Sequence, residues 1–299
     1  MLVPLVLRSS YSMLRGVPTP EAWVAAAAAA GLERLALTDR NGVYGVPTFV
    51  EVCRKAGIAP IAGVELAYGG GRCVLLPRAK AGFSAICRLL TLRAAAPAAF
   101  DARAAVAGLL GQAPSPEGLA SAASEAADPA PAPLSLFVLT DDLALLKRLS
   151  PSETLYALVT PCNRGAWRSL ASSGHRPAAS PEASFLEAGQ RETQRLLLAI
   201  GVRKTVHDIE DGLLDPPEAL WASESWTCPP DLQPWLEEAF AANGFIAREA
   251  LTEPFSGFIF PRFDLAGGKG AGRASAEARP ATQPAQQPQP PRSETAPER

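Results

Sequence analysis

Short apolar runs alternate with longer amphipathic segments along most of the chain. Runs rich in leucine and β-branched residues predict strands, and the segments between them predict helices, which is typical of repeated βα units. The predicted strands are residues 3–7, 34–38, 59–66, 72–76, 134–139 and 154–160. The predicted helices are residues 20–30, 46–56, 82–92, 141–149, 190–201 and 231–243.

Local signals support several of these boundaries. Thr19 followed by Pro20 is typical of a helix N-terminus, and Gly57 is typical of a helix end. The glycines at 69–71 predict the turn of a hairpin between two strands, because no Gly-Lys-Ser/Thr sequence follows them as it would in a phosphate-binding loop. The pattern predicts a barrel-like α/β core with helices after it.

Composition changes along the chain predict its domain limits. The last segment is rich in Gly, Pro, Gln and Ala and has almost no side chains to bury. We therefore expect a barrel domain over residues 1–189, a small helical C-terminal appendix over 190–265 and a disordered tail over 266–299. A stretch rich in Ala, Pro and Ser at 113–133 predicts a long loop inside the first domain.

Charge and cysteine usage limit the classes of partner. The chain has 299 residues, and 28 Lys and Arg against 30 Asp and Glu give a formal charge of −2. This balance provides no overall basic surface for nucleic acid, so we expect no direct DNA binding beyond a local contact. The five cysteines have no disulfide or zinc-finger spacing, which favours a reducing cytoplasm. The apolar run at 25–30 is far shorter than the roughly 20 residues of a membrane span, so no membrane partner is expected.

Three blocks of sequence carry a resemblance to a known family. Residues 9–16 (SSYSMLRG), 36–45 (ALTDRNGVYG) and 56–65 (AGIAPIAGVE) resemble the PHP (polymerase and histidinol phosphatase) domain. The order of the blocks is most similar to the N-terminal domain of bacterial DNA polymerase III alpha subunits and error-prone DNA polymerases. Weaker blocks at 74–78, 82–91, 196–200 and 258–263 extend the similarity over roughly residues 1–265.

The resemblance implies a distorted (β/α)7 barrel with its site at the C-terminal ends of the strands. In active members, histidines and carboxylates hold divalent metals that hydrolyse phosphoesters. The family's metal-ligand positions correspond here to Pro4, Val6, Arg8, Asp39, Arg40, Glu65, Arg72 and Ser184. Only Asp39 and Glu65 keep a carboxylate, and arginine stands at three positions where the family has histidine. Ser184 belongs to a late block that also includes Pro181 and Glu182.

Three interpretations of these positions compete. Asp39 and Glu65 can form internal ion pairs with Arg8, Arg40 and Arg72, because buried charges are usually found paired. The three arginines can instead form an anion site, because guanidinium matches the geometry of phosphate. An altered ligand set of Asp39, Glu65 and Cys73 can bind zinc or manganese weakly. We favour the ion-pair interpretation, under which we expect no catalytic residue, no metal and no cofactor.

Other chemistry-bearing residues give weaker signals. His175 and His207 lie outside every block where the family has a metal ligand, and we expect His207 on the surface near a helix end. Cys162 and His175 could pair as a thiol nucleophile and base, but no third partner follows from the sequence. Trp221, Trp226 and Trp235 are expected to anchor the packing of the appendix.

The leading functional hypothesis is a pseudoenzyme of the PHP phosphoesterase family that serves a DNA polymerase chain in trans, in replication or repair. It carries no polymerase palm or fingers, and the tail would act as a tether. The alternative is a metal-dependent phosphoesterase or 3′–5′ exonuclease with the altered ligand set. A decaying gene remnant without a selected role is a third possibility.

Overall fold

The structure is a computed structural model that describes residues 2–112, 135–211, 214 and 226–255. All of these described residues belong to one compact unit. The disordered tail predicted at 266–299 and the loop predicted at 113–133 lie outside the described residues. In the described part of the chain, no helix combines the length and apolarity needed to cross a membrane.

Strands and helices alternate over most of the described chain, so the fold is mixed α/β, as the sequence predicts. The strands are β1 Val6–Leu7, β2 Arg34–Leu37, β3 Ala59–Ala62, β4 Val64–Tyr68, β5 Gly71–Pro77, β6 Leu136–Thr140, β7 Leu155–Val159, β8 Arg176–Ala179 and β9 Glu182–Ala183. The helices are α1 Pro20–Ala29, α2 Val46–Ala56, α3 Lys80–Ala95, α4 Ala102–Leu109, α5 Leu143–Leu146, α6 Trp167–Ala171, α7 Gln190–Val202 and α8 Gln233–Glu249.

The described strands pair in three sheets. Strands β1 and β9 are parallel, β2 and β3 are parallel, and the largest sheet has the order β4-β5-β6-β7-β8. Strands β4 and β5 form the antiparallel hairpin predicted around the glycines at 69–71, with Tyr68 opposite Gly71. Strand β5 is also antiparallel to β6, whereas β6, β7 and β8 are parallel.

Backbone hydrogen bonds also connect strands that belong to different sheets. The amide of Thr38 donates to the carbonyl of Leu7 at 2.9 Å, which joins the end of β2 to β1. The break between β3 and β4 falls at Gly63, where a Cβ atom would lie 2.7 Å from the carbonyl oxygen of Leu75. The single strand predicted at 59–66 is therefore two strands, because the backbone approaches β5 too closely for any other residue at this point.

Side chains from successive strands share one apolar cluster with the last described helix. Leu5, Ile61, Val74 and Phe137 lie in this cluster together with Ile246 of α8. The side-chain Nδ2 of Asn243, also in α8, donates to the carbonyls of Val3 and Ala179, each at 2.8 Å. Helix α8 thus packs directly against the strands. The domain boundary predicted between residues 189 and 190 stays a prediction.

Local side-chain bonds explain where predicted and observed elements differ. Strand β1 is shorter than predicted because the amides of Leu5 and Val6 donate to the Ser180 hydroxyl rather than to another strand. Helix α5 begins later than predicted because the Asp142 side chain caps it by accepting from the Ala144 amide. The sequence pattern gave no prediction for α4, α6, β8 or β9.

Candidate functional site

Charged side chains converge on one cleft of about 630 Å³. The charged residues that line it are Arg8, Arg15, Arg40, Glu65, Arg72, Asp141 and Glu182. Arg8 directly follows β1, Asp141 directly follows β6, and Glu65 lies within β4. Residues that are distant in sequence thus meet at one set of strand ends, which is the usual place for a site in α/β folds.

Arg8 lies at the centre of this cluster and is almost fully buried, with 1% of its side chain exposed. Its Nε donates to Glu65 Oε2 at 3.0 Å, and its Nη2 also contacts that oxygen. Nη2 donates as well to Glu182 Oε1 at 2.6 Å, and Nη1 donates to the Ser184 hydroxyl at 3.2 Å. One guanidinium therefore connects two carboxylates from different strands.

Arg72 connects a second pair of carboxylates. Its Nη1 and Nη2 donate to Glu182 Oε1 and Oε2 at 2.5 and 3.0 Å, and its Nη2 donates to Asp141 Oδ2 at 2.8 Å. Nη1 also lies 3.5 Å from Glu65 Oε2. Glu182 thus accepts from both Arg8 and Arg72, and such charge-assisted bonds are stronger than neutral ones.

The charges of this cluster stabilise one another. Burial alone would raise the pKa of Glu182, but the positive charges of Arg72 and Arg8, with their hydrogen bonds, outweigh it and hold that pKa well below its usual range. Burial would likewise lower the pKa of Arg72, but the charges of Glu182 and Asp141 raise it well above its ordinary value. Both groups are therefore charged in the folded protein at neutral pH.

Arg40 lies at the edge of the cluster. Its side chain is 42% exposed, and its Nε is 3.9 Å from Glu65 Oε1, which is too far for a hydrogen bond. Partial burial lowers its pKa, and the nearby charges of Arg15, Arg8 and Arg72 lower it further, while Glu65 opposes them. The structure does bring the three predicted arginines, Arg8, Arg40 and Arg72, together in one cleft. Of the three, Arg40 has the positive charge that nearby carboxylates balance least.

Asp39 has a different environment from the one predicted. Its carboxylate accepts from the Ser9 amide at 2.7 Å, from the Ser9 hydroxyl at 2.8 Å and from the Ser12 hydroxyl at 2.6 Å. Arg8 acts on Asp39 only through space, and burial raises the Asp39 pKa despite the serine hydrogen bonds. The prediction that Asp39 forms an ion pair with arginine is therefore corrected: serines hold it, and it fixes the loop that follows β1.

The other predicted positions, Pro4, Val6 and Cys73, are buried inside the fold. Pro4 is buried, and its carbonyl accepts from the Ala36 amide at 3.3 Å. Val6 is fully buried in the strand core and lies opposite Glu182 in the β1–β9 register. Cys73 is fully buried in another apolar cluster, and burial raises its pKa to about 11. The structure does not bring Cys73 into the cleft lining.

Three cleft residues were not among the predicted site residues. Asp141 accepts from Arg72 and from Asn163 Nδ2, the latter at 3.3 Å, and Arg15 reaches the cleft from the loop after β1. A carboxylate two residues after the strand predicted at 134–139 is the signal that could have identified Asp141. Arg15 lies in the loop after β1, and Asn163 lies in a short 3-10 helix at Pro161–Ala166 that the sequence pattern does not predict. Neither residue carries a comparable signal.

The histidines do not join this cleft. The Nε2 of His175 lies 2.9 Å from the carbonyl oxygen of Leu146, and His175 lines a different cavity from Cys162. The structure therefore does not bring the considered thiol and base together. His207 is exposed in a short 3-10 helix at Val206–Asp208.

The donor set in the cleft does not fit a divalent metal ion. Oxygens of Glu65 and Glu182 accept from guanidinium groups, which would repel a cation placed among them. Within the described ranges, no group of three or more His, Cys, Asp or Glu side chains is arranged to hold a metal.

The sequence is similar to one domain family and to a group of bacterial DNA polymerases. The family model of the PHP domain matches residues 4–118. An error-prone DNA polymerase of Anaeromyxobacter sp. (strain K) is 38% identical over 90 residues, which is 28% of this chain and 8% of that protein. The error-prone DNA polymerase of Nocardia farcinica is 41% identical over 97 residues, which is 32% of this chain and 8% of that protein.

These matches confirm the predicted resemblance to the PHP domain of DNA polymerase III alpha-type proteins. The matched part spans only 8% of the length of these curated relatives. A solved structure described as a candidate metal-dependent phosphoesterase of Bifidobacterium adolescentis is 14% identical, with a TM-score of 0.36, and covers 60% of this chain and 86% of that protein.

Proposed function

We propose that this PHP-type chain is a non-catalytic scaffold or accessory module of a DNA polymerase. Arginine–carboxylate ion pairs would occupy the place of the family's metal centre. The observation that carries the proposal is the placement of Arg8 and Arg72, which donate to both Glu65 and Glu182 at the strand ends.

The chemistry of this cluster argues against hydrolysis. Metal-dependent phosphoester hydrolysis needs carboxylate and imidazole lone pairs directed at a cation, which then activates water. Here the lone pairs of Glu65 and Glu182 accept hydrogen bonds from guanidinium groups instead. A cation would have to displace these groups, which would leave buried arginine charges unpaired.

We further infer that the three sheets form the wall of a distorted barrel. Strands β3 and β4 would count as one interrupted strand, and so would β8 and β9, so that the nine segments make seven strands. Strand β9 pairs with β1, and the β1–β2 backbone bonds continue the wall to β2 and β3. An isolated parallel β-bridge between the backbones of Arg40 and Glu65 then links the end of β2 to β4. Strand β4 is the first strand of the largest sheet. In this arrangement, the charged cluster closes the end of the barrel where the family has its metal site.

A polymerase role is supported by the relatives, which are error-prone DNA polymerases. We propose that the chain docks onto a polymerase polypeptide in trans and contributes to replication or repair without hydrolysing a bond itself.

Metal content and hydrolysis test the catalytic part of this proposal. The purified full chain would be incubated with Zn²⁺ or Mn²⁺, desalted and analysed by elemental mass spectrometry, and then assayed with p-nitrophenyl phosphate and single-stranded DNA. We expect no stoichiometric metal and no chelator-sensitive hydrolysis. Stoichiometric metal with hydrolysis that a chelator abolishes would overturn the proposal and favour the altered ligand set.

Affinity capture tests the polymerase part separately. The tagged full chain would be used to capture proteins from its native cell extract, and any polymerase recovered would be purified and tested for direct binding. We expect a DNA polymerase chain that also binds in the purified system. If no polymerase binds, the scaffold role is rejected, whereas the metal and hydrolysis results stand independently.

A further inference from the structure

A second cleft of about 510 Å³ shares Arg40 with the charged cluster but differs from it in charge. Its lining includes Tyr11, Met13, Arg40, Tyr44, Tyr68 and Arg93. Among the described residues that line it, two are arginines and none is Asp or Glu. This cleft therefore combines positive charge with aromatic rings.

The turn that carries Arg40 is held rigidly in place. The Asn41 amide donates to the Glu65 carbonyl at 2.8 Å, and the Ala67 amide donates to Asn41 Oδ1 at 2.8 Å. The Arg40 amide donates to the Ser12 hydroxyl at 2.9 Å. Asn41 itself has a φ of 58°, a left-handed conformation that asparagine tolerates better than most residues. The backbone at Arg40 is thus fixed before any ligand binds, whereas its exposed side chain can adjust to an anion.

Arg93 reaches the same cleft from helix α3. It is half-buried, and its Nη2 lies 3.5 Å from the carbonyl oxygen of Ala67. In the part of the chain that the structure describes, the Arg40 guanidinium makes one long ionic contact, to Glu65. The Arg93 guanidinium makes one long hydrogen bond, to the Ala67 carbonyl. Both guanidinium groups keep most of their N–H donors available for an anion.

Two tyrosine rings on the same face are solvent-accessible. Tyr44 is 75% exposed, and its ring lies against Gly42, where a Cβ atom would be 2.7 Å from Tyr44 Cε2. Tyr11 is 39% exposed, and its ring lies against Gly45. The Tyr68 ring already contacts Arg103 and its hydroxyl donates to Asp142, so Tyr11 and Tyr44 provide the open aromatic faces.

We propose that this cleft binds a phosphate group carried next to an aromatic base, the chemistry shared by a mononucleotide and a short single strand of nucleic acid. Arg40 and Arg93 bind the phosphate, because guanidinium donors match phosphate oxygens in geometry and charge. Tyr44 and Tyr11 stack on the base, a contact that tolerates any base because each has a π face. A local site of this kind needs no overall positive charge.

Fluorescence anisotropy with the full chain tests the proposal. A short fluorescein-labelled oligothymidylate is titrated with protein at low and at moderate salt, and unlabelled dTMP and inorganic phosphate are used as competitors. We expect binding that weakens with salt, because arginine–phosphate contacts release counterions. Competition by dTMP as strong as by unlabelled oligonucleotide identifies a mononucleotide site, and competition by the oligonucleotide alone identifies a strand site.

Variants locate the binding. We expect Arg93→Gln and Tyr44→Leu each to weaken binding by about fivefold or more, while Tyr44→Phe, which keeps the ring, stays close to the unchanged protein. Arg54→Gln is the matched control, since Arg54 is an exposed arginine of helix α2 outside this cleft. Circular dichroism checks that each variant is folded.

Two results would overturn the proposal. The first is no binding of either the oligonucleotide or dTMP. The second is binding that Arg93→Gln and Tyr44→Leu leave unchanged, which would place the contact elsewhere. Neither result bears on metal content or polymerase capture, because Arg93 and Tyr44 do not line the cleft of the charged cluster.

Discussion

Arg72 on β5 and Glu182 on β9 form a two-point ion pair, with Nη1–Oε1 and Nη2–Oε2 distances of 2.5 and 3.0 Å. These strands belong to different sheets, and Arg8 joins the same carboxylate next to β1. Side-chain charges thus connect strands that share no backbone ladder. The cluster holds the strand ends together.

Removal of the shared carboxylate tests this structural role. Glu182→Ala removes one carboxylate partner from each of two arginines, although Arg8 keeps Glu65 and Arg72 keeps Asp141. Breaking a buried ion pair costs about 3–5 kcal/mol of unfolding free energy. Urea unfolding followed by circular dichroism measures the loss. Asp231→Ala is the control, because its pair with Arg168 is exposed to solvent and should contribute little to stability. Equal losses in the two variants would show that the buried cluster has no special stabilising role.

The depressed pKa of Glu182 predicts a dependence of stability on pH. Burial alone would raise this pKa, but Arg72 and Arg8 hold it well below its ordinary value of 4.5, so the folded state binds this proton less tightly than the unfolded state. Its stabilisation is therefore complete above pH 4.5 and is lost as the pH falls through the lower folded pKa. Urea unfolding between about pH 7 and about pH 3 should show a steeper loss for the unchanged protein than for Glu182→Gln. Parallel profiles would contradict this assignment.

The regular elements could be predicted because their signals are local. Helix α2 matches its prediction over Val46–Ala56, since Gly57 adopts the left-handed conformation that ends a helix. The same holds at α1, where Thr19 accepts from the Ala22 amide and Pro20 occupies the first turn. Strands β8 and β9 were missed because the short segment that holds Pro177 and Pro181 lacks the usual strand pattern.

Some residues of the site could be predicted from the sequence, but their pairing could not. The resemblance to PHP domains identified Arg8, Glu65 and Arg72, which do form the cluster. The general pairing of buried charges also assigned Asp39 to these ion pairs, but serine hydroxyls of the neighbouring loop hold that carboxylate. Sequence alone cannot show which partner a buried carboxylate chooses, because that depends on side-chain direction at each strand end.

Replacement of Asp39 tests its corrected role. Asp39→Ala removes the acceptor of the Ser9 amide and of the Ser9 and Ser12 hydroxyls, so we expect a loss of about 2–3 kcal/mol from buried donors left unpaired. Thermal unfolding measures the loss, and hydrogen exchange should show faster exchange at the Ser9 amide.

Ser12→Ala provides the graded control for Asp39. It removes one of the three hydrogen bonds to the carboxylate and the acceptor of the Arg40 amide, so its loss should be smaller than that of Asp39→Ala. An unchanged melting temperature in Asp39→Ala would show that the serine contacts do not stabilise the fold.

The loop after β1 also depends on close backbone contact at Gly16. A Cβ atom at this position would lie 1.9 Å from the carbonyl oxygen of Ser9, so the backbone of the loop must shift in Gly16→Ala. We expect a loss of about 2–4 kcal/mol in unfolding free energy, measured by urea unfolding. Gly189→Ala is the matched control: Gly189 has helical dihedral angles, and its Cβ would meet nothing within 4 Å. It should be neutral or slightly stabilising, because alanine reduces the freedom of the unfolded chain. Equal stability of Gly16→Ala and Gly189→Ala would contradict the close packing of this loop against Ser9.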